Sequence, residues 1–305
     1  VRSRPEQQSS NKKRRSRFRG ISRANDSLRF KNGYVLAYDF DFAKVWAWDR
    51  NGKMLFERSI SIPDATHVQI SDMAAASNGA VAVSASAMDD HSNVSPVIFW
   101  INSEGSINRI VRTAPFAASR IVFASDGSLW AAGRVYTIAG SKIVAAAQYD
   151  VLRRYNSQGE LQQTAIPNTL FDDISANPAI GSFLASSPDR IGFLSVNGKK
   201  YFELSVSGKL SGSWTISSQL PENQVGGMAL TSSGAVFISM LPHADSRYSY
   251  EGPPLYQLDK ASGTLQAVRL STTSAVKPTV LLGSDGDHLV FYSKPPSSVS
   301  WFSVQ

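Results

Sequence analysis

An all-β ring of repeated four-stranded units is the fold class this sequence predicts, and two recurring turn motifs and their spacing predict it. The first motif is a short polar turn, usually closed by glycine, that leads into an apolar β-run. Its copies are Lys31-Asn32-Gly33-Tyr34-Val35-Leu36, Ser77-Asn78-Gly79-Ala80-Val81-Ala82, Ser125-Asp126-Gly127-Ser128-Leu129-Trp130, Ser232-Ser233-Gly234-Ala235-Val236-Phe237 and Ser284-Asp285-Gly286-Asp287-His288-Leu289, with a degenerate Ser187-Pro188-Asp189-Arg190-Ile191-Gly192. Asn-Gly and Asp-Gly supply the positive φ that tight hairpins need, so each copy reads as two antiparallel strands meeting at a turn. The second motif falls between copies of the first: Trp48-Asp49-Arg50-Asn51-Gly52-Lys53-Met54 and its counterparts around Gly105, Gly159, Gly208 and Gly263. There an apolar residue ends a strand, a small polar residue caps the corner, and two residues after Gly an apolar side chain is expected to re-enter the core. Counted from Gly33, Gly79, Gly127, Asp189, Gly234 and Gly286, the repeats are 46, 48, 62, 45 and 52 residues apart. Four strands at such a period predict propeller blades, which bury their faces only against neighbouring blades. The prediction is a six-bladed β-propeller of four-stranded antiparallel blades.

In chain order the first element is a basic arm. Residues 1 to 23 hold nine basic side chains and one acid, Glu6, for a net +8 against +7 for the whole chain, so the other 282 residues sum to −1. Without apolar periodicity, residues 1–16 are expected to be a flexible arm and 17–305 the propeller. The arm reads either as a tether to an acidic partner or as a solvated leader. Nucleic acid is disfavoured as a partner, since only Phe18 is available for stacking and the blades show no basic stripe. The chain opens on Val, as a processed or trimmed product would. Next, Phe18 to Ser22 is expected to close the ring, because the sixth repeat ends before a fourth strand and an open strand edge invites aggregation.

Each blade then contributes loops to the face opposite the glycine turns, where a rigid scaffold is expected to carry function. Blade one offers Asp39 and Asp41, a carboxylate pair that could hold a divalent cation or share a proton, or simply be a polar loop edge, and then His67 in the link to blade two. Blade two offers Asp89-Asp90-His91, the densest set of potential metal ligands. Blade three carries the longest insertion, with Arg134 and Tyr136 near the base of an expected extended hairpin. Beyond it come Asp172 and Asp173, then Glu222 and Asn223 after blade four. Blade five inserts His243, Asp245, Arg247 and Tyr248, a composition suited to recognition. This face is expected to be acidic. Trp46, Phe99, Phe202, Tyr256 and Trp301 recur at third-strand positions and are assigned to packing between blades. Small residues at Ala74-Ala75-Ala76 and Gly226-Gly227 suit a crowded axis.

The repeat resembles the broad six-bladed propeller superfamily of TolB-like, NHL-type and gluconolactonase-like proteins over residues 18 to 305. The gluconolactonase-like resemblance implies an axial divalent metal held by Glu, two Asn and Asp; Asp72 and Asn223 lie near such positions, but no Glu or second Asn does. Other chemistry is unsupported by motif: there is no Gly-x-Ser-x-Gly elbow and no His-Glu-x-x-His. Cysteine is absent, which excludes disulfides and thiolate sites. No run of 18 apolar residues is present, so no transmembrane helix is expected. The Ser, Ala and Thr-rich texture points to an exported protein, periplasmic or extracellular. The sequence therefore favours a non-catalytic propeller without cofactor that binds a protein or glycan partner through its loop face; the alternative is a metal-dependent lactonase-like hydrolase.

Overall fold

The computed structural model describes residues 28–39, 42–139, 142–171, 177–216, 225–241, 254–270, 278–293 and 298–304. It is a six-bladed propeller in which each blade is an antiparallel meander stepping outward from the axis. Blade one comprises β1 (Arg29–Lys31), β2 (Tyr34–Asp39), β3 (Lys44–Asp49) and β4 (Met54–Ser59). Blade two comprises β5 (His67–Ala75), β6 (Val81–Met88), β7 (Val94–Ile101) and β8 (Ile107–Arg112). In blade three, β9 (Phe116–Phe123) pairs β10 (Leu129–Ala139), whose far half folds back on β11 (Lys142–Ala145) before β12 (Asp150–Tyr155) and β13 (Leu161–Pro167) complete the sheet. Blade four comprises β14 (Phe183–Ser186), β15 (Arg190–Ser195), β16 (Lys200–Ser205) and β17 (Leu210–Thr215). Blade five comprises β18 (Val225–Leu230), β19 (Val236–Met240), β20 (Leu255–Asp259) and β21 (Thr264–Val268). Blade six shows β22 (Pro278–Asp285), β23 (His288–Ser293) and β24 (Ser298–Ser303).

The turn chemistry behaves as the sequence predicts. Gly33, Gly79, Gly127, Gly234 and Gly286 in the inner hairpins, and Gly52, Gly105, Gly159, Gly208 and Gly263 in the outer ones, all sit at positive φ. At Gly263 a Cβ would also lie 2.6 Å from the Thr215 carbonyl of the preceding blade, so this turn requires glycine on two counts.

The core is six apolar seams, one between each pair of neighbouring blades. The inner strands β1, β5, β9, β14, β18 and β22 contact one another in that order and return to β1. The seam between the last blade and the first joins Leu28, Phe30, Val35 and Trp48 to Leu282, Val290, Tyr292 and Val299. Phe30 is 1% exposed and meets Trp301 edge-on at 5.8 Å. Among the described residues, then, the ring is closed by side-chain packing. The strand expected at Phe18 to Ser22, like the basic arm, lies outside the described residues.

The third-strand aromatics pack as expected: Phe99 and Phe202 are buried, and Trp46, Tyr256 and Trp301 pack half-buried against the seams. One expectation is corrected. The apolar residue two after the outer-turn glycine does not re-enter the core in most blades: Met54, Leu161 and Leu210 are exposed and Ile107 is half-buried. In each of these blades the ladder slips by one residue directly after that position. Such a bulge re-aims the side chain beside it. Blade five keeps its register, with Leu258 opposite Leu265, and there Leu265 is buried.

Candidate functional site

The inner strands converge on a central channel, and at its glycine-turn end the channel opens into a cavity of about 590 Å³. All six blades line it, through Lys31 and Tyr34, Ser77, Ser125, Ser187, Ser232 and Asp285 among others. Its floor is cationic. Lys31, at the end of β1, sends its Nζ to the Leu184 carbonyl at 2.9 Å. Leu184 belongs to the inner strand of blade four, which faces blade one across the ring, so the lysine side chain crosses the axis.

Three further charges accompany it. The Arg29 Nε donates to Asp72 Oδ1 at 3.2 Å, and its Nη1 donates to the Leu28 carbonyl. Asp72 is 2% exposed, and its Oδ2 accepts the Ile121 backbone N–H at 3.0 Å. Arg120 donates from Nε to the Ser182 carbonyl at 2.9 Å. Asp72 and Arg120 stand in the same place in consecutive repeats, seven residues before Gly79 and Gly127, and each follows a one-residue bulge in its inner strand. The bulge redirects the polar side chain without breaking the apolar run beyond it.

Among the described residues the channel therefore holds three cations and one carboxylate, and that carboxylate accepts from Arg29 and a backbone N–H. Desolvation within the ring pushes Lys31 down from 10.5 to about 8; Asp72 opposes this, while Arg29 and Arg120 add to it. At the rim, Asp285 is held by Arg50 and by the Trp301 indole N–H at 2.9 Å, and Asp49 caps its own turn through the N–H groups of Asn51 and Lys53. Among the described residues the positive charge of Lys31 thus lies on the cavity floor with Arg29 and Arg120 behind it, while the carboxylates that line the cavity, Asp49 and Asp285, stand at the rim, and low-dielectric walls focus the field of the floor.

This set does not fit a divalent cation. A metal needs carboxylate or neutral ligands free of cationic partners, whereas both Asp72 oxygens are already engaged and its neighbours are ammonium and guanidinium groups. Among the described residues no group of three or more His, Cys, Asp or Glu is gathered. For the axial metal suggested by the lactonase resemblance, Asp72 is thus engaged with Arg29, and Asn223 lies outside the described residues.

Of the residues expected on the loop face, seven are described. His67 opens β5 opposite Met88, and Thr66 bonds the Met88 and Asp89 carbonyls, so His67 and Asp89-Asp90-His91 share one end of blade two. There Asp89 caps its own turn, accepting the N–H groups of His91 and Asn93 and the Asn93 amide. Asp90 and His91 are exposed and 3.7 Å apart. Asp39 accepts the Phe42 N–H at 3.2 Å. Arg134 donates to the Tyr136 hydroxyl and stacks on its ring at 4.3 Å, at the base of the β10–β11 hairpin. None of the seven lines the cavity. Asp41, Asp172, Asp173, Glu222, Asn223, His243, Asp245, Arg247 and Tyr248 lie outside the described residues. Sequence reasoning missed Lys31, Arg29 and Arg120. Lys31 had left a trace: two residues before the turn glycine, or before Asp189, Ser stands at Ser77, Ser125, Ser187, Ser232 and Ser284, whereas blade one alone has Lys31.

No protein-family model and no curated protein sequence matches this chain. Solved structures do match it in fold. A putative exported protein from Bacteroides fragilis is 10% identical, with 96% of this chain and 95% of that one covered and a TM-score of 0.53. A calcium-binding protein, regucalcin, from Agrobacterium tumefaciens is 12% identical over 91% and 88%, with a TM-score of 0.45. The PQQ-bound aldose sugar dehydrogenase from Streptomyces coelicolor is 15% identical over 92% and 93%, also at 0.45. At these identities the likeness is one of fold alone. Among the described residues no helix is long and apolar enough to cross a membrane.

Proposed function

We propose that the protein is a non-catalytic binding propeller whose ligand, a group carried by a glycan or protein partner, enters the cavity at the glycine-turn end of the channel. The observation that carries this reading is the convergence of all six blades on one open cavity with a polar rim and a charged floor. A rigid ring that offers serine hydroxyls, a tyrosine and an ammonium group to one concavity suits recognition. Its ionic side chains engage one another and the backbone, which suits positioning better than proton transfer. Export to the periplasm or the extracellular space belongs to the same proposal; it agrees with the sequence texture, and the Bacteroides fragilis relative is described as a putative exported protein.

A melting-temperature screen against neutral and charged saccharides and short peptides tests the reading, because a ligand that binds only the folded state raises the midpoint. At least one hit is expected, and Ser232→Trp, which fills the rim from an exposed position, should abolish it. Hits that survive Ser232→Trp and vanish on His91→Ala would move the site to the loop face.

A further inference from the structure

The cavity floor is more specific than its shape. An ammonium group has three N–H donors, and the Leu184 carbonyl takes one from Lys31. Among the described residues the charged and polar groups around it are Arg29 on its own strand, Asp72 from blade two, Arg120 from blade three and the blade-four carbonyls, with Asp49 and the Arg50–Asp285 pair at the rim. Among the described residues around the floor, Asp72 offsets one of the three cations, and the inner strands enclose the charge of Lys31 beside Arg120. Neutral saccharides or peptides offer nothing to balance it; an oxyanion does. The rim adds serine hydroxyls that can donate to oxygen, at Ser77 and Ser232.

We infer that the ligand group entering the channel is an oxyanion, a carboxylate or a sulfate-type group, and that Lys31 is the residue that receives it. This inference rests on the reading of the cavity as the binding site. Its source is either a free inorganic anion or the acid group of a sugar, and the two share one chemistry of recognition. Charge-assisted N–H···O⁻ bonds to an ammonium that already crosses the axis need no rearrangement of the ring.

Binding has a proton signature, because only the ammonium form of Lys31 attracts the anion. With its ionisation near 8, affinity for an anion whose own charge is constant should fall about tenfold between pH 7 and pH 9, as the protonated fraction falls from about nine-tenths to about one-tenth. A ligand that brings negative charge raises the proton affinity of Lys31, so binding at pH 8 should take up protons.

Isothermal titration of the whole chain with sulfate, D-glucuronate and D-glucose at pH 7, 8 and 9 tests this, in wild type, Lys31→Met and Lys31→Arg. Sulfate or glucuronate should bind wild type with the tenfold pH dependence, and glucose should not. The methionine variant should lose at least tenfold in affinity at pH 7. The arginine variant, whose charge is fixed, should bind without the pH dependence. Preference for sulfate assigns a free inorganic anion, and preference for glucuronate assigns an acidic sugar; either supports the inference. Failure of both anions to bind wild type overturns it, as does binding unchanged by Lys31→Met or by pH. If glucose or another neutral ligand binds and is lost in Ser232→Trp while the anions do not bind, the inference falls and the binding-propeller reading stands.

Discussion

The desolvation of Lys31 has a consequence for stability that requires no ligand. In the unfolded chain the lysine ionises near 10.5, and in the ring near 8. Below pH 8 both states hold the proton, and the folded state bears the full cost of enclosing the charge. Between pH 8 and 10.5 the unfolded state binds more protons than the folded state, so the free energy of unfolding rises with pH; above 10.5 the contribution is flat. The full span corresponds to about 3 kcal/mol, and about 2 kcal/mol of it should be gained between pH 7 and pH 9.5. The perturbation that isolates it is Lys31→Met, which keeps an unbranched side chain one atom shorter and removes the titration. Urea unfolding of both proteins at intervals across this range gives the difference in stability, from which every other titrating group common to the two cancels. Wild type should gain on the variant by about 2 kcal/mol from pH 7 to 9.5, whatever the offset at pH 7 from the lost bond to Leu184. A difference that stays flat within about 0.5 kcal/mol, or that falls as pH rises, would refute the argument that the channel holds a desolvated ammonium.

Other perturbations test the scaffold that presents the channel. Glu203, with its side chain 6% exposed, accepts from Arg190 at 3.3 Å, from Lys260 and from the Tyr201 hydroxyl at 3.2 Å, tying blade four to blade five. Glu203→Gln should cost about 2–3 kcal/mol in urea unfolding, below the range for a fully buried pair because both cations keep a quarter to a third of their surface in water; a change under about 0.5 kcal/mol contradicts this. Burial, reinforced by Glu203, raises the Tyr201 phenol well above 10. The stability it contributes is present below pH 10 and lost as pH climbs through its folded value, so alkaline unfolding should be shallower in Tyr201→Phe than in wild type. Phe30→Ala empties the seam between the first and last blades and should cost about 3–5 kcal/mol; a negligible loss would mean that this seam does not hold the ring.

The parts of the fold that could be read from the chain are those decided within a few residues. Positive φ at Gly79 or Gly127 is a local requirement of a tight turn, and a repeat of local requirements at a blade-sized period leads to a count of six. The bulges after Met54, Leu161 and Leu210 were not legible, because an apolar residue two after a glycine looks the same with or without the slip that turns it outward. The site was hidden for a different reason. Lys31 and Leu184 are 153 residues apart and meet only because the ring brings blades one and four face to face. Loop composition drew attention to Asp89, Asp90 and His91, where a dense run of ligand types serves turn capping and an exposed ion pair. The departure of Lys31 from the serine found in the other five repeats was a better guide than the density of charged residues.

The location of the bound anion tests the account most directly. Crystals grown at pH 7 with selenate, a sulfate analogue whose selenium scatters anomalously, should show a peak inside the channel within hydrogen-bond reach of Lys31 Nζ, and the peak should be absent from Lys31→Met crystals grown alongside. Selenate found only on the outer surface or on the loop face, with the channel floor empty at Lys31, would contradict it.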